Sequence, residues 1–197
     1  MITQSTYEQL KHTFGYTSSW ALWSDGDGVH PKSGISDMKP FHVSEKVLLE
    51  KLNPNYIFVG LNPAAHNVDP DTEPWQAFHS ADIKRLQEYK LRYALKGTKY
   101  WGAFMTDLLP NIIETNANKA LSDIDVQDWK KAINDLKRII EILKQDGNPI
   151  VIAFGNRVYN TLRKGFPEDV IVKKIVHFSA FIGKELYKER IMQQLKD

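Results

Sequence analysis

Four short apolar runs constrain the fold of this chain more than any other feature. They cover residues 56–63, 102–107, 150–156 and 171–179, and each leads into glycine or polar residues. Apolar runs of this length, separated by segments with helical periodicity, are typical of parallel strands whose two faces are covered by helices. The pattern therefore predicts an α/β fold built on a parallel sheet.

Helices are predicted between and around these strands. The clearest covers residues 126–145, where apolar residues recur every three or four positions after N-cap candidates at 122–125. Others are predicted over 81–95, after Gly155, and over 184–195. The stretch 24–40, rich in glycine and aspartate, is expected to be a surface loop. A chain of 197 residues is most simply one domain, residues 1–197.

Composition limits the classes of function. The chain is 42% hydrophobic and 25% charged, as in ordinary soluble proteins, and its net charge of +2 permits nucleic-acid binding without arguing for it. It has neither an apolar run of about 20 residues nor a secretory signal, so we expect a cytoplasmic protein with no membrane partner. The chain contains no cysteine, which excludes disulfides and thiolate chemistry.

Several kinds of site are disfavoured by missing motifs. The sequence has no glycine-rich dinucleotide or P-loop motif and no nucleophile elbow. No set of residues has the spacing of a metal site. We therefore expect neither a cofactor nor a metal, and the sequence indicates no obligatory protein partner.

Polar residues stand where the predicted strands end. They are Asn62, Asp107, Asn156 and His177. The carboxyl ends of parallel strands meet at one edge of a sheet, where ligands bind, so these residues are predicted to lie together. Asn62 could hold a water, or Asn-Pro could simply begin a turn. His177 could donate a hydrogen bond to an oxygen that gains negative charge, or could only cap its strand.

Two further segments have alternative interpretations. An aromatic side chain in the stretch 75–80, which includes Phe78 and His79, could stack on a base or belong to the core. A basic segment could contact phosphates or be a solvated helix face. Its members are Lys84, Arg85, Lys90, Arg92, Lys96 and Lys99.

In combination, these motifs resemble those of the uracil-DNA glycosylase superfamily. The segment 60–64, Gly-Leu-Asn-Pro-Ala, is similar to the first active-site motif of its mismatch-specific and single-strand-selective branches, Gly-x-Asn-Pro-Gly. The segment 177–179, His-Phe-Ser, is similar to the second motif, His-Pro-Ser. Segments 19–23, 78–79 and 97–107 resemble a little-characterised bacterial branch, so the resemblance spans nearly the whole chain.

The resemblance implies a three-layer α/β/α sandwich with a four-stranded parallel central sheet. It also implies a metal-independent DNA base-excision glycosylase that flips a damaged or deaminated base out of DNA and hydrolyses its N-glycosidic bond. Asn62 would position the attacking water and His177 would support charge on the departing base. Phe78 would stack on the base, Asp107 would read its edge, and Ser179 would touch a phosphate. The other substrate-binding positions would be Gly60, His79 and Asn156.

The chain departs from the family pattern at three positions. Ala64 replaces glycine, Phe178 replaces proline, and Asp107 stands where many members have asparagine. An ionised aspartate only accepts hydrogen bonds, whereas asparagine both donates and accepts. Two alternative functions therefore stay open: a non-catalytic protein that binds a nucleobase or nucleotide on the same fold, and a hydrolase of small N-glycosides.

Overall fold

A five-stranded sheet forms the centre of the protein. The computed structural model describes residues 2–63, 73–79, 87–112 and 124–196. The strands are β1 (Ser18–Trp20), β2 (Asn53–Gly60), β3 (Ala103–Asp107), β4 (Ile150–Phe154) and β5 (Val172–Ile175). Their order across the sheet is β1-β3-β2-β4-β5. The described residues also form six helices: α1 (Gln4–Phe14), α2 (Glu45–Leu49), α3 (Tyr89–Leu95), α4 (Val126–Leu143), α5 (Gly155–Gly165) and α6 (Lys184–Leu195).

The prediction of a four-stranded parallel sheet is wrong, because the sheet is mixed. The four predicted strands are parallel neighbours, but β1 adds a fifth strand that pairs antiparallel with β3. β1 has only three residues, all buried, so it shows no apolar alternation that sequence could reveal. Contacts with β3 hold it instead: Ser18 Oγ donates to Thr106 Oγ1 at 2.9 Å, and the Trp20 ring lies 4.9 Å from that of Phe104.

Helices cover both faces of this sheet. Ile57 and Val59 of β2 join an apolar cluster with α1, α4 and α5, whereas Phe58 between them joins a second cluster with α3 and α6. This division follows the two-residue period of strand side chains. We call the side with the first cluster the α4 face and the side with the second cluster the α6 face. A sheet buried on both faces explains why its strands read as continuous apolar runs.

Most of the predicted helices are confirmed. α4 begins at Val126 after a capping box between Asp125 and Asp128, and ends at Leu143, two residues before the predicted end. α5 begins at Gly155, where a helix was predicted to follow, and α6 covers the predicted range. α3 occupies the second half of the helix predicted over 81–95, of which residues 81–86 lie outside the described residues. Every helix within the described ranges is too short or too polar to cross a membrane.

Two residues of the predicted basic segment hold loops in place. Arg92 of α3 donates hydrogen bonds to the carbonyl oxygens of Ser24, Pro31 and Ser33 at 2.6–2.8 Å, which closes the loop 24–40. Lys90 is 3% exposed. The expectation of a solvated or phosphate-binding face is therefore wrong for these two residues. Lys84 and Arg85 lie outside the described residues.

We predict that Arg92→Ala destabilises the fold. Three charge-assisted hydrogen bonds are lost and three carbonyl groups lose a donor, so the free energy of unfolding should fall by about 2–4 kcal/mol. Urea unfolding measures it, with the exposed Arg163 on α5 as a matched control in Arg163→Ala. If Arg92→Ala lowers the free energy of unfolding no more than the control does, the loop 24–40 does not depend on Arg92.

Candidate functional site

The ends of four strands lie in one row at the carboxyl edge of the parallel part of the sheet. Gly60 of β2 pairs with Asp107 of β3, and Phe154 of β4 pairs with Ile175 of β5. β2 and β4 are joined through the pair Val59 and Ala153, one residue before the row. With about 4.8 Å between strands, the row from β3 to β5 is about 14 Å long. Asn62 and His177 each lie two residues beyond it, and Asn156 lies two residues beyond Phe154.

Gly60 makes room for the carboxyl group of Asp107. Gly60 has the same strand parity as Phe58, so its missing side chain would point to the α6 face. A Cβ atom placed there would collide with Oδ1 of Asp107. The Asp107 carboxyl group therefore lies over bare backbone on the α6 face. The need for glycine is steric here, since Gly60 is not among the glycines with positive φ.

The surroundings of Asp107 change its expected charge. The residue keeps some exposed surface, but burial of the carboxyl group raises its pKa to about 7. The expectation of an ionised, accept-only carboxylate is therefore wrong below that pH. In its protonated form the group offers one O–H donor and an acceptor, as an amide does.

His177 is held as a neutral ring with a defined tautomer. The backbone N–H of Ser179 can only donate, and it donates to Nδ1 of His177 at 3.0 Å. Nδ1 therefore carries no proton, and the neutral ring carries its proton on Nε2. Burial lowers the pKa of His177 to about 4, so the ring is neutral at pH 7. The arrangement supplies a fixed Nε2–H donor without a positive charge.

Aromatic rings place this histidine beside the ends of the strands. Phe154 stacks on Phe58 with ring centroids 5.6 Å apart, and the His177 ring lies edge-on to Phe154 at 5.7 Å. Phe178 stacks on His177 with ring centroids 4.3 Å apart. Phe178 thus supports the ring from one side while Phe154 contacts it from another.

The amide of Asn62 is fixed by backbone groups. Its Nδ2 donates to the carbonyl oxygens of Pro63 at 3.0 Å and Ile112 at 3.1 Å. These two bonds fix the orientation of the amide, because carbonyl oxygens accept only from its nitrogen. The oxygen Oδ1, an acceptor with two lone pairs, is the atom through which Asn62 could orient a water.

The other predicted substrate-binding residues have different surroundings. Phe78 is buried in the apolar cluster of the α6 face, which also contains Phe58 and Phe154, and has a φ of 64°. His79 is 1% exposed and its ring nitrogens face Ile35 O and Ser19 Oγ, so it links the segment 73–79 to β1. Burial lowers the pKa of His79 to about 4.

Asn156 and Ser179 have protein partners of their own. The exposed Asn156 of α5 accepts a hydrogen bond from Nζ of Lys174 in β5 at 2.8 Å. Ser179 holds His177 through its backbone N–H, and its hydroxyl lies 2.8 Å from the same Nδ1. Ser179 is therefore a positioning residue for His177 in this structure.

Sequence reasoning missed Phe181. Its side chain has a relative exposure of 108%, the highest of the large apolar residues that the structure describes. It stands at the centre of a tight turn in which Ile182 N donates to Ala180 O, and Lys90 Nζ donates to the same oxygen at 2.8 Å. In the sequence, Phe181 between alanine and isoleucine reads like one more core residue. Only the tertiary structure shows that it points outward.

One cavity borders this region without joining all of its polar groups. It has a volume of about 270 Å³ and lies beside Asp107, between the end of α1, the end of β3 and one side of α4. Asn62 and His177 are not among its lining residues. Asn62, Asp107 and His177 therefore lie at one edge of the sheet, but only Asp107 lines this cavity.

The sequence was compared with protein families and with curated proteins, and neither comparison found a match. Among the described residues, no group of three histidine, aspartate or glutamate side chains is arranged to hold a metal ion.

We predict that Asp107 gives the stability of the fold a pH dependence. Its pKa is about 7 in the fold and about 3.9 in an unfolded chain. Between these values the fold retains a proton that the unfolded chain has released. The free energy of unfolding should therefore fall as the pH rises, by up to about 1.4 kcal/mol per pH unit.

The test compares wild type with Asp107→Asn by urea unfolding from pH 4 to pH 8. The variant should lack this slope and be the more stable protein at pH 8, while the contributions of His79 and His177 are common to both. Identical pH profiles would contradict a buried, proton-retaining Asp107.

Proposed function

We propose that this protein is a metal-independent DNA glycosylase that hydrolyses the N-glycosidic bond of a base flipped out of DNA. The observation that carries the proposal is His177, a neutral ring fixed as an Nε2–H donor at the carboxyl edge of parallel strands. Such a donor stabilises an oxygen that becomes negative in the transition state. A departing pyrimidine or purine base with a carbonyl group presents such an oxygen.

The proposed reaction cleaves one bond and consumes one water molecule. The bond between the sugar C1′ and the base nitrogen breaks, and its electron pair leaves with the base. Water adds to C1′ and loses a proton to solvent or to the base. Asn62, whose amide is oriented by Pro63 and Ile112, accepts a hydrogen bond from this water through Oδ1. His177 supports the charge that collects on the base.

Asp107 is suited to read the edge of the base. Its carboxyl group lies over Gly60, and near neutral pH a large share of it is protonated. A protonated carboxyl group can donate to a carbonyl oxygen and accept from a ring N–H. Asp107 can therefore recognise the same edge of uracil that an asparagine would recognise.

Phe181 favours DNA over a small N-glycoside. A fully exposed phenylalanine has no role in the core, and it stands on a turn that is tied to His177 through the bond from Ala180 N to His177 O. Apolar side chains inserted between base steps unstack DNA and keep a nucleotide extruded. A small nucleoside would give this side chain nothing to contact.

The proposal is tested by a single-turnover screen for base release. The substrates are single-stranded and duplex oligonucleotides that contain one uracil, hypoxanthine or xanthine, or a thymine mismatched with guanine. Release from at least one of them, unaffected by a chelator, is expected. Binding of free bases or nucleotides without release would favour a non-catalytic protein, and cleavage of free nucleosides alone would favour a small-molecule hydrolase.

We predict that Asn62→Ala separates chemistry from binding. Orientation of the water acts mainly in the transition state, so release should fall by about a hundredfold or more while DNA affinity changes little. Asn160→Ala, on the exposed side of α5, is the matched control and should behave as wild type. Equal losses of affinity and release would contradict the role given to Asn62.

We predict that Phe181→Ala affects duplex DNA selectively. Flipping a paired base costs a few kcal/mol, and a base in a single strand is already unpaired. Release from the duplex should fall about tenfold or more, with little change on single strands and no change in the unfolding midpoint. Phe181→Leu should retain part of the duplex activity. A parallel loss on both substrates would mean that Phe181 acts in the pocket and is not a wedge.

A further inference from the structure

A groove rich in lysine runs along β5, the edge strand on the far side of the sheet from β1. It has a volume of about 520 Å³ and is lined by Tyr159, Val172, Lys173, Lys174, Gln194 and Lys196. Half of these lining residues are lysines, and none of them is acidic. The groove therefore combines three positive charges with one aromatic ring.

Two lysines of the groove donate hydrogen bonds to neutral oxygen atoms. Lys174 Nζ donates to Asn156 Oδ1 at 2.8 Å and lies 5.8 Å from the centre of the Tyr159 ring. Lys173 Nζ donates to the carbonyl oxygen of Leu195 at 3.2 Å. The contacts of Lys174 orient its ammonium group without neutralising it, so that charge remains available to an anion.

The groove adjoins the candidate site. Lys174 comes three residues before His177, a separation of about 10 Å along an extended chain. Its partner Asn156 stands at the start of α5, at the same carboxyl edge as Asn62 and Asp107. A polymer that delivers a base to His177 therefore passes within reach of Lys174.

We propose that the lysine groove binds the phosphate backbone of the DNA strand beside the nucleotide that enters the site. The choice of DNA as the polymer rests on the proposed function. A nucleic-acid backbone is a row of regularly spaced anions, and lysines bind it with release of counterions. Lysines on an edge strand also discourage pairing with another strand, a role that requires no anion. The two roles differ in the dependence of DNA binding on salt.

The experiment measures binding of a fluorescein-labelled, undamaged oligonucleotide by anisotropy between 50 and 300 mM NaCl. The groove variant is Lys173→Gln/Lys174→Gln/Lys196→Gln. The control, Lys46→Gln/Lys51→Gln/Lys130→Gln, removes the same charge from exposed positions elsewhere. In the groove variant, affinity at 100 mM salt should fall about tenfold or more, and the slope of log K against log salt should become shallower by about 2–3.

Several outcomes would overturn the proposal. They are wild type that fails to bind at 50 mM salt, equal effects of the groove and control variants, and much tighter groove-dependent binding of RNA of the same sequence. If the triple variant does not fold, as judged by its unfolding transition, Lys174→Gln/Lys196→Gln at two exposed positions replaces it.

The base-release assay distinguishes this proposal from the proposed function. At saturating DNA the groove variant should release base at the wild-type rate, whereas Asn62→Ala should bind through the groove and release little. Groove-dependent binding by a wild-type protein that releases no base would support the groove and reject the glycosylase. Base release by wild type, with the same salt dependence of binding in the groove variant, would support the glycosylase and reject the groove.

Discussion

Parallel pairing of β2 with β3 on one side and β4 on the other is the constraint on which the candidate site depends. It brings Asp107, Gly60 and Phe154 to the same level at one edge of the sheet. Because parallel strands end at the same edge, groups that are distant in sequence become neighbours there. Gly60 completes the arrangement, since any side chain at this position would displace the carboxyl group of Asp107.

Burial shifts the two ionisable groups of this edge towards their neutral forms from opposite directions. It raises the pKa of Asp107 to about 7 and lowers that of His177 to about 4, because an apolar environment disfavours whichever form is charged. His177 and the protonated form of Asp107 can then serve as hydrogen-bond donors near neutral pH. Two donors without net charge suit a substrate that becomes negative only as its bond breaks.

One short helix, α3, connects stability with the proposed chemistry. Arg92 closes the loop 24–40 through three carbonyl oxygens, and Lys90 on the same helix holds the turn that carries Phe181. A buried ammonium group is costly unless it is hydrogen-bonded, so the bond from Lys90 to Ala180 restricts where the turn can lie. Phe181, the most exposed large apolar side chain that the structure describes, thus stands on a turn that is hydrogen-bonded to α3.

The sequence by itself determined the four parallel strands, the helices α4, α5 and α6, and the positions of Asn62, Asp107 and His177 at strand ends. The strands and helices follow from apolar periodicity, which is a local property of the sequence. The grouping of the polar residues follows from the general rule that parallel strands end at the same edge. Only the tertiary structure decided the rest. β1 depends on Thr106 and Phe104 of another strand, Lys90 is buried by residues far along the chain, and the protonation of Asp107 and His177 depends on the atoms packed around them. Exposure and pKa are properties of an environment, and that environment exists only once the chain has folded.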